Sequence, residues 1–453
     1  MSRPLRLGAG AVLALAALSL FLPFQPVYDP WGWLVWGREL AGLDLATADG
    51  MSWKPLPVLV DAPLSLLGGA APKGWLLVAR SGWLAAPLLA GWLAARLAGE
   101  EAGRWRFAAA ALAAGSVALT ADSFTPPMRQ FSGGLSEPLL VALVLGAVVA
   151  ALGRRPMAAL WLGFAASLLR PECWPFLVAW AIRVWRREPA SRPHIGAVAV
   201  LLPLAWFVPD LVGAGDPLAG SRTARGGPVE PLDAFPVLGR ALAAPLAAAW
   251  IGVVLFLLGR RDRRRPGDRA LEVLLLGAAA WIALVAAMAV AGYAGLPRFL
   301  APATAAIAVI GGVGVARAAA AGFGQGRWGM RARPVLAGAA VVALLAGAVG
   351  VGLRAAAVPG DLRDVDRQSM LVDGMFELAG WVPSERLLTC GDRVRLANLL
   401  TPPTALAWKL DRPLSSVRTI AHPKYGVALS TRELPGGRRI AQVGRWRATD
   451  LGC

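Results

Sequence analysis

Charge is scarce in this chain of 453 residues: 16% are Asp, Glu, Lys or Arg, against about 25% in an ordinary soluble domain. With 57% apolar residues and a mean hydropathy of +0.56, that shortage excludes an intrinsically disordered chain and argues against a single water-soluble globule. Cysteine is nearly absent. Three residues, Cys173, Cys390 and Cys453, exclude a disulfide-dense scaffold and a cysteine-rich metal site. The two histidines, His194 and His422, are far apart in sequence, which argues against a zinc site built on histidine. Tyrosine is rare (3) where tryptophan is abundant (19); indoles favour the membrane interface, so most are expected in an aromatic belt.

What is present is a succession of apolar runs, such as 8–24, 135–152 and 270–292, each of a length to cross a hydrocarbon core about 30 Å thick. The net charge of +18 and pI near 11.3 would suit nucleic acid, but the arginines cluster in short links between apolar runs. That is the positive-inside pattern, and no nucleic-acid partner is expected. Arg3 and Arg6 before the first run resemble a secretory signal. No small-x-small cleavage site closes the run, so an uncleaved anchor is expected.

Following the charges gives about eleven spans, N-terminus cytoplasmic and C-terminus extracytoplasmic. Residues 25–73 form an outer loop whose apolar part, 55–69, is interrupted by Pro55, Pro57 and Pro63; proline in a helix interior costs about 3 kcal/mol, and a re-entrant segment is expected there. The most basic link, Arg260 to Arg269, falls inside. Residues 354–453 are read as a small extracytoplasmic α/β domain behind a transmembrane domain of residues 1–353. A helix is predicted over 364–378 and strands over 386–389, 418–421, 427–431 and 439–443. Cys390 and Cys453 are a disulfide candidate if that region is extracytoplasmic. Cys173 is expected to be inert. Gly311-Gly312-x-Gly314 lies inside a span and is not a nucleotide loop.

Ionisable groups at membrane depth are costly and usually functional. The outer loops and span ends carry Asp29, Glu39, Lys54, Arg80, Asp122, Arg129, Glu137, Arg170, Glu172 and Arg298. This mixture suits transfer from an anionic lipid-linked donor to a hydroxyl, with cations on a phosphate and a carboxylate as general base. Each residue also has a plainer reading. Asp29 before Pro30 fits a helix cap. Lys54, Arg80 and Arg298 are placed to snorkel to the interface, and Arg170 is placed to pair with Glu172. Asp122, Arg129 and Arg240 read as solvated. Trp31, Trp33, Trp36 and Trp53 share a loop with Asp29, as belt residues or as a surface for sugar or lipid.

Six short motifs, in order, resemble the polyprenyl-phosphate-sugar-dependent glycosyltransferases of the multi-span C type, which include protein O-mannosyltransferases and the aminoarabinose transferase. They are Tyr28-Asp29-Pro30 with Trp36-Gly37-Arg38-Glu39; Trp53-Lys54-Pro55-Leu56; Arg80; Ser136-Glu137-Pro138; Leu169-Arg170-Pro171-Glu172; and Pro297-Arg298-Phe299-Leu300-Ala301-Pro302. The resemblance covers roughly residues 1–320. The family's first-loop acidic pair is here Asp29-Pro30, and the second proline of its Lys-Pro-Pro is Leu56.

The resemblance implies a polytopic α-helical membrane protein of the cell membrane that transfers a sugar from a polyprenyl-phosphate donor to an envelope glycan, glycolipid or protein, with inversion. Asp29 and Glu137 are then the catalytic candidates. Lys54, Arg80, Arg170 and Arg298 would hold the donor phosphate, with Arg38, Glu39 and Glu172 as further candidates. No cofactor is assigned, and a divalent metal is left open. Two other classes stay in view: a lipid or solute transporter, which would need a repeat and broken helices at mid-membrane, and a non-catalytic scaffold for envelope assembly.

Overall fold

The computed structural model describes residues 3–120, 126–226, 231–259, 265, 267–324, 333–388 and 393–453. Asp122, Cys390 and most of the basic link 260–269 lie outside these residues, and with Cys390 the expected pairing to Cys453.

The chain is mainly helical. Its first part runs α1 (Arg3–Ser19), α2 (Tyr28–Gly42), α3 (Pro55–Leu64), α4 (Ala71–Ala98), α5 (Trp105–Ala118), α6 (Pro127–Gly133), α7 (Glu137–Leu152), α8 (Pro156–Ser167) and α9 (Trp174–Arg187). It continues through α10 (Arg192–Ala214), α11 (Ala219–Ala224), α12 (Ala234–Ala243), α13 (Ala247–Gly259), α14 (Asp268–Val290), α15 (Ala301–Phe323) and α16 (Arg333–Trp381). Proline in the first turn starts many of them, where its missing N–H costs nothing and its φ suits a helix.

Among the described residues, five helical stretches are long and apolar enough to cross a membrane: Pro55–Ala98, Pro189–Ala214, Asp268–Val290, Pro297–Phe323 and Arg333–Trp381. Two bent pairs, α6 with α7 at 95° and α12 with α13 at 89°, bring that number to seven if each is one span. Shorter apolar helices cover Gly8–Ser19, Trp105–Ala118 and Pro156–Ser167. The protein is a multi-pass membrane protein.

Helix α15 is the central post, buried without a break from Pro302 to Ala319. Its small residues let neighbours approach to backbone contact: a Cβ on Gly312 would lie 2.6 Å from the carbonyl oxygen of Ala109 in α5. The Gly311–Gly314 stretch is therefore a packing surface. At one end of α15, Arg317 pairs with Asp268 and donates to the Leu97 carbonyl at 2.8 Å, closing the end of α4.

Helix α16 spans 49 residues, about 73 Å at 1.5 Å per residue, more than twice the hydrocarbon thickness. Its first part is the expected last span, and its far part includes the helix expected over 364–378, with no break between. Beyond it lie α17 (Ser384–Leu387), β1 (Val394–Ala397), α18 (Pro403–Lys409), β2 (Val417–Thr419), β3 (Val427–Ser430), β4 (Arg438–Val443) and β5 (Trp446–Asp450).

The five strands form one sheet in the order β2-β1-β3-β5-β4, with β1 parallel to β2 and β3, and β5 antiparallel to β3 and β4. The strand expected over 386–389 is wrong: Ser384–Leu387 is a turn of helix behind Pro383. The unexpected strands are β1 and β5. Gly374 of α16 packs under Trp446 of β5, whose indole donates to the Leu371 carbonyl at 2.7 Å.

The tryptophans of the outer loop 25–73 are neither belt nor sugar platform. Trp31, Trp33, Trp36 and Trp53 are 4%, 0%, 0% and 2% exposed. They share one core with Val372, Met375, Leu406, Leu429 and Trp446 of the C-terminal region. The α/β module is thus packed onto α2 by apolar burial.

Candidate active site

Four charged residues read from separate motifs come together, and each stands at a helix start. Glu137 opens α7, Lys54 precedes Pro55 of α3, and Arg170 precedes the turn Pro171–Cys173 that leads into α9. Arg298 lies in the turn Pro297–Leu300 before α15. Proline beside each residue is the local reason: it ends the preceding extended stretch and begins a helix. Five helix N-termini, counting that of α2 with Asp29, carry these groups, and such ends favour anions.

Glu137 is the hub. Its Oε1 lies 2.9 Å from Arg170 Nη2, 3.7 Å from Lys54 Nζ and 3.8 Å from Arg298 Nε. Arg170 also holds Glu172 at 3.0 Å, so its pairing with Glu172 and its place in the cluster coexist. Arg298 Nη2 stands 3.7 Å from Asp29 Oδ2. Three cations and three carboxylates are assembled, and their formal charges cancel.

The two candidate carboxylates differ in access. Glu137 is 2% exposed at its side chain, Asp29 21%. Asp29 is in the first turn of α2, whose N-cap is Val27 with no side-chain cap bond. Asp29 is therefore not the cap. Among the described residues the buried Nε of Arg170, Nε of Arg298 and Oε2 of Glu137 have no hydrogen-bond partner. Buried polar atoms are ordinarily satisfied, so these three atoms keep hydrogen-bonding capacity unused.

Aromatic faces complete the cluster, and charge-based reading missed them. The Arg170 guanidinium lies 3.6 Å from the Phe299 ring centroid, and Lys54 Nζ lies 5.0 Å from that of Trp33. Desolvated cations gain about 2 kcal/mol or more from such contacts. Ser136 accepts from Lys54 at 3.3 Å. The signal for Phe299 and Ser136 was adjacency to Arg298 and Glu137.

Three other candidates make their contacts outside this cluster, although the buried Nη2 of Arg80 also has no hydrogen-bond partner among the described residues. Arg80 is fully buried but gives its Nε to the Phe131 carbonyl at 3.3 Å and stacks on that ring at 4.4 Å, with Ser19 at its Nη1. It ties α1, α4 and α6 together. Arg38 reaches the C-terminal module, pairing with Asp411 at 2.8 Å and donating to the Trp408 and Arg412 carbonyls at 3.3 and 3.1 Å. Glu39 is 4% exposed and accepts from the Ala46 N–H at 3.0 Å. Burial, partly offset by that bond and by Arg38, pushes its pKa up to about 7. Among the described residues, no group of three His, Cys, Asp or Glu side chains is arranged to hold a metal ion.

Solved structures share this architecture. ArnT from Cupriavidus metallidurans in the apo state matches over 99% of this chain and 97% of its own, with a TM-score of 0.53 and 15% identity. The same protein bound to undecaprenyl phosphate matches over 99% and 98%, at a TM-score of 0.50 and 15% identity. The fold is ArnT-like. The ArnT likeness extends through the C-terminal module, since nearly the whole of both chains is matched. No family model matches the chain, and no curated protein does so by sequence.

Proposed function

We propose that this protein is a membrane glycosyltransferase that moves a sugar from a polyprenyl-phosphate donor to a hydroxyl acceptor at the extracytoplasmic face. The observation that carries it is the cluster of Lys54, Arg170 and Arg298 around the buried Glu137 at converging helix starts, with the Nε atoms of both arginines unspent. Such a cluster suits a phosphate: arginine forks onto it and helix N-termini complement it. The undecaprenyl phosphate bound by ArnT has this chemistry.

In this reading Asp29, the more accessible carboxylate, takes the proton of the acceptor hydroxyl. The acceptor oxygen bonds to the anomeric carbon as the bond to the phosphate oxygen breaks, which inverts that centre. The electron pair leaves on the phosphate, where Lys54, Arg170 and Arg298 receive it. Glu137 holds those cations in place and is not free to act as base. Arg80, tied to Ser19 and Phe131, supports the helices around the site.

The test is Asp29→Asn in purified, lipid-embedded protein, offered a panel of undecaprenyl-phosphate-linked pentoses and hexoses. Transfer is expected to fall about 10²- to 10⁴-fold, the usual contribution of a positioned base, with undecaprenyl phosphate still bound. Turnover close to wild type would remove Asp29 from the role.

A further inference from the structure

The C-terminal module reaches the first turn of the helix that carries Asp29. Thr404 Oγ1, in α18, donates to the Tyr28 carbonyl at 2.9 Å. That carbonyl belongs to the peptide unit leading into Asp29, so its orientation sets the direction in which the aspartate side chain leaves the backbone. Thr404 is 3% exposed, and its methyl sits against α2: a Cβ on Gly32 would lie 3.6 Å from Thr404 Cγ2.

The start of α2 needs such a hold. Its N-cap, Val27, has no side-chain acceptor for the first N–H groups, and uncapped helix starts fray. On one side Gln25 and Val27 donate their N–H groups to the carbonyls of Ser132 and Gly133 at 3.2 and 3.1 Å. Thr404 holds the other side through the Tyr28 carbonyl and leaves the first N–H groups as they were. Further along α2, Trp31 meets Phe376 and Trp408 at ring-centroid distances of 5.6 and 6.5 Å, and Arg38 pairs with Asp411. The module grips α2 over most of its length, and Thr404 is the side-chain bond next to Asp29.

We infer that Thr404 is a positioning residue for Asp29, which makes the C-terminal module a working part of the transfer site. This rests on the reading of Asp29 as base. Small misplacements of a reacting group are costly, about 10²-fold for 1 Å, and loss of one anchor should cost part of that.

The experiment uses the full chain in lipid and an undecaprenyl-phosphate-linked donor that the wild-type protein turns over. Thr404→Val, which keeps the shape and removes the donor hydroxyl, is expected to lower kcat about tenfold. KM for the donor and binding of undecaprenyl phosphate should stay within about twofold, because no cation is moved. Thr404→Ser should restore kcat. On an Asp29→Asn background the valine change should cost nothing more, since the group it aims is gone.

A kcat for Thr404→Val close to wild type overturns the proposal. So does an equal fold loss on the Asp29→Asn background. Full turnover by Asp29→Asn alone overturns the base assignment instead, and with it the reason for positioning. If valine lowers Tm, the pair Thr404→Ser and Thr404→Ala carries the same comparison, because its members differ by the hydroxyl alone.

Discussion

Glu137 accepts from Arg170 at 2.9 Å through Oε1, and Lys54 and Arg298 draw on that same oxygen at 3.7 and 3.8 Å. One buried carboxylate thus offsets most of the repulsion among three cations. Breaking a buried ion pair from one side typically costs about 3–5 kcal/mol, because the partner charge is left uncompensated. Glu137→Gln is therefore expected to lower Tm and to leave the cluster with one positive charge in excess. Added undecaprenyl phosphate should then raise the Tm of the variant more than that of the wild type, since ligand binding to the folded state adds stability. Thermal unfolding with and without the lipid measures this. Equal shifts in the two proteins would mean that Glu137 does not organise the cations.

The polar cluster was legible because each of its members stands beside a proline at a helix start. Asp29-Pro30, Lys54-Pro55, Glu137-Pro138, Arg170-Pro171 and Pro297-Arg298 are local signals, and local signals survive the lack of long-range information. Arg80 was not separable in this way: an arginine a few residues inside a span reads alike whether it meets phosphate, water or a backbone carbonyl. The burial of Trp31, Trp33, Trp36 and Trp53 was illegible for a different reason. Trp33 packs on Trp75 and Trp36 on Trp53, but the ring partners of Trp31, Phe376 and Trp408, are more than 300 residues away, and nothing near Trp31 announces them. Strand β5 was hidden by Arg447 and Asp450 at its partly exposed positions, which blur the apolar alternation.

Glu39 gives the protein a pH dependence with a definite sign. Its pKa rises from 4.5 to about 7 in the folded state, chiefly through burial. A carboxyl raised in this way favours folding while protonated and disfavours it once ionised, so its contribution to stability falls as pH rises from about 4.5 to 7. Glu39→Gln keeps an acceptor for the Ala46 N–H and removes the charge. The variant is expected to match wild-type Tm at pH 5 and to exceed it at pH 8. A difference in Tm that is the same at both pH values would assign the effect to packing rather than ionisation.

The centre of the bundle is held by the absence of side chains. A methyl group on Gly314 of α15 would overlap the Gly252 carbonyl of α13 and come 3.1 Å from the Phe256 nitrogen; one on Gly311 would meet the Ala249 backbone of the same helix. Backbone cannot step aside as a flexible side chain can, and α15 is enclosed on all sides. Overpacking a core ordinarily costs about 1–3 kcal/mol, and a clash of backbone with backbone belongs at the upper end or beyond. Gly314→Ala should sharply reduce the yield of folded protein or lower its Tm. Gly277→Ala in α14, where nothing lies within 4 Å of the added carbon, is the matched control. It should be neutral or slightly stabilising, since alanine is the better helix former by about 1 kcal/mol. If Gly314→Ala and Gly277→Ala behave alike in a thermal-unfolding assay, close packing between α13 and α15 does not hold the bundle together.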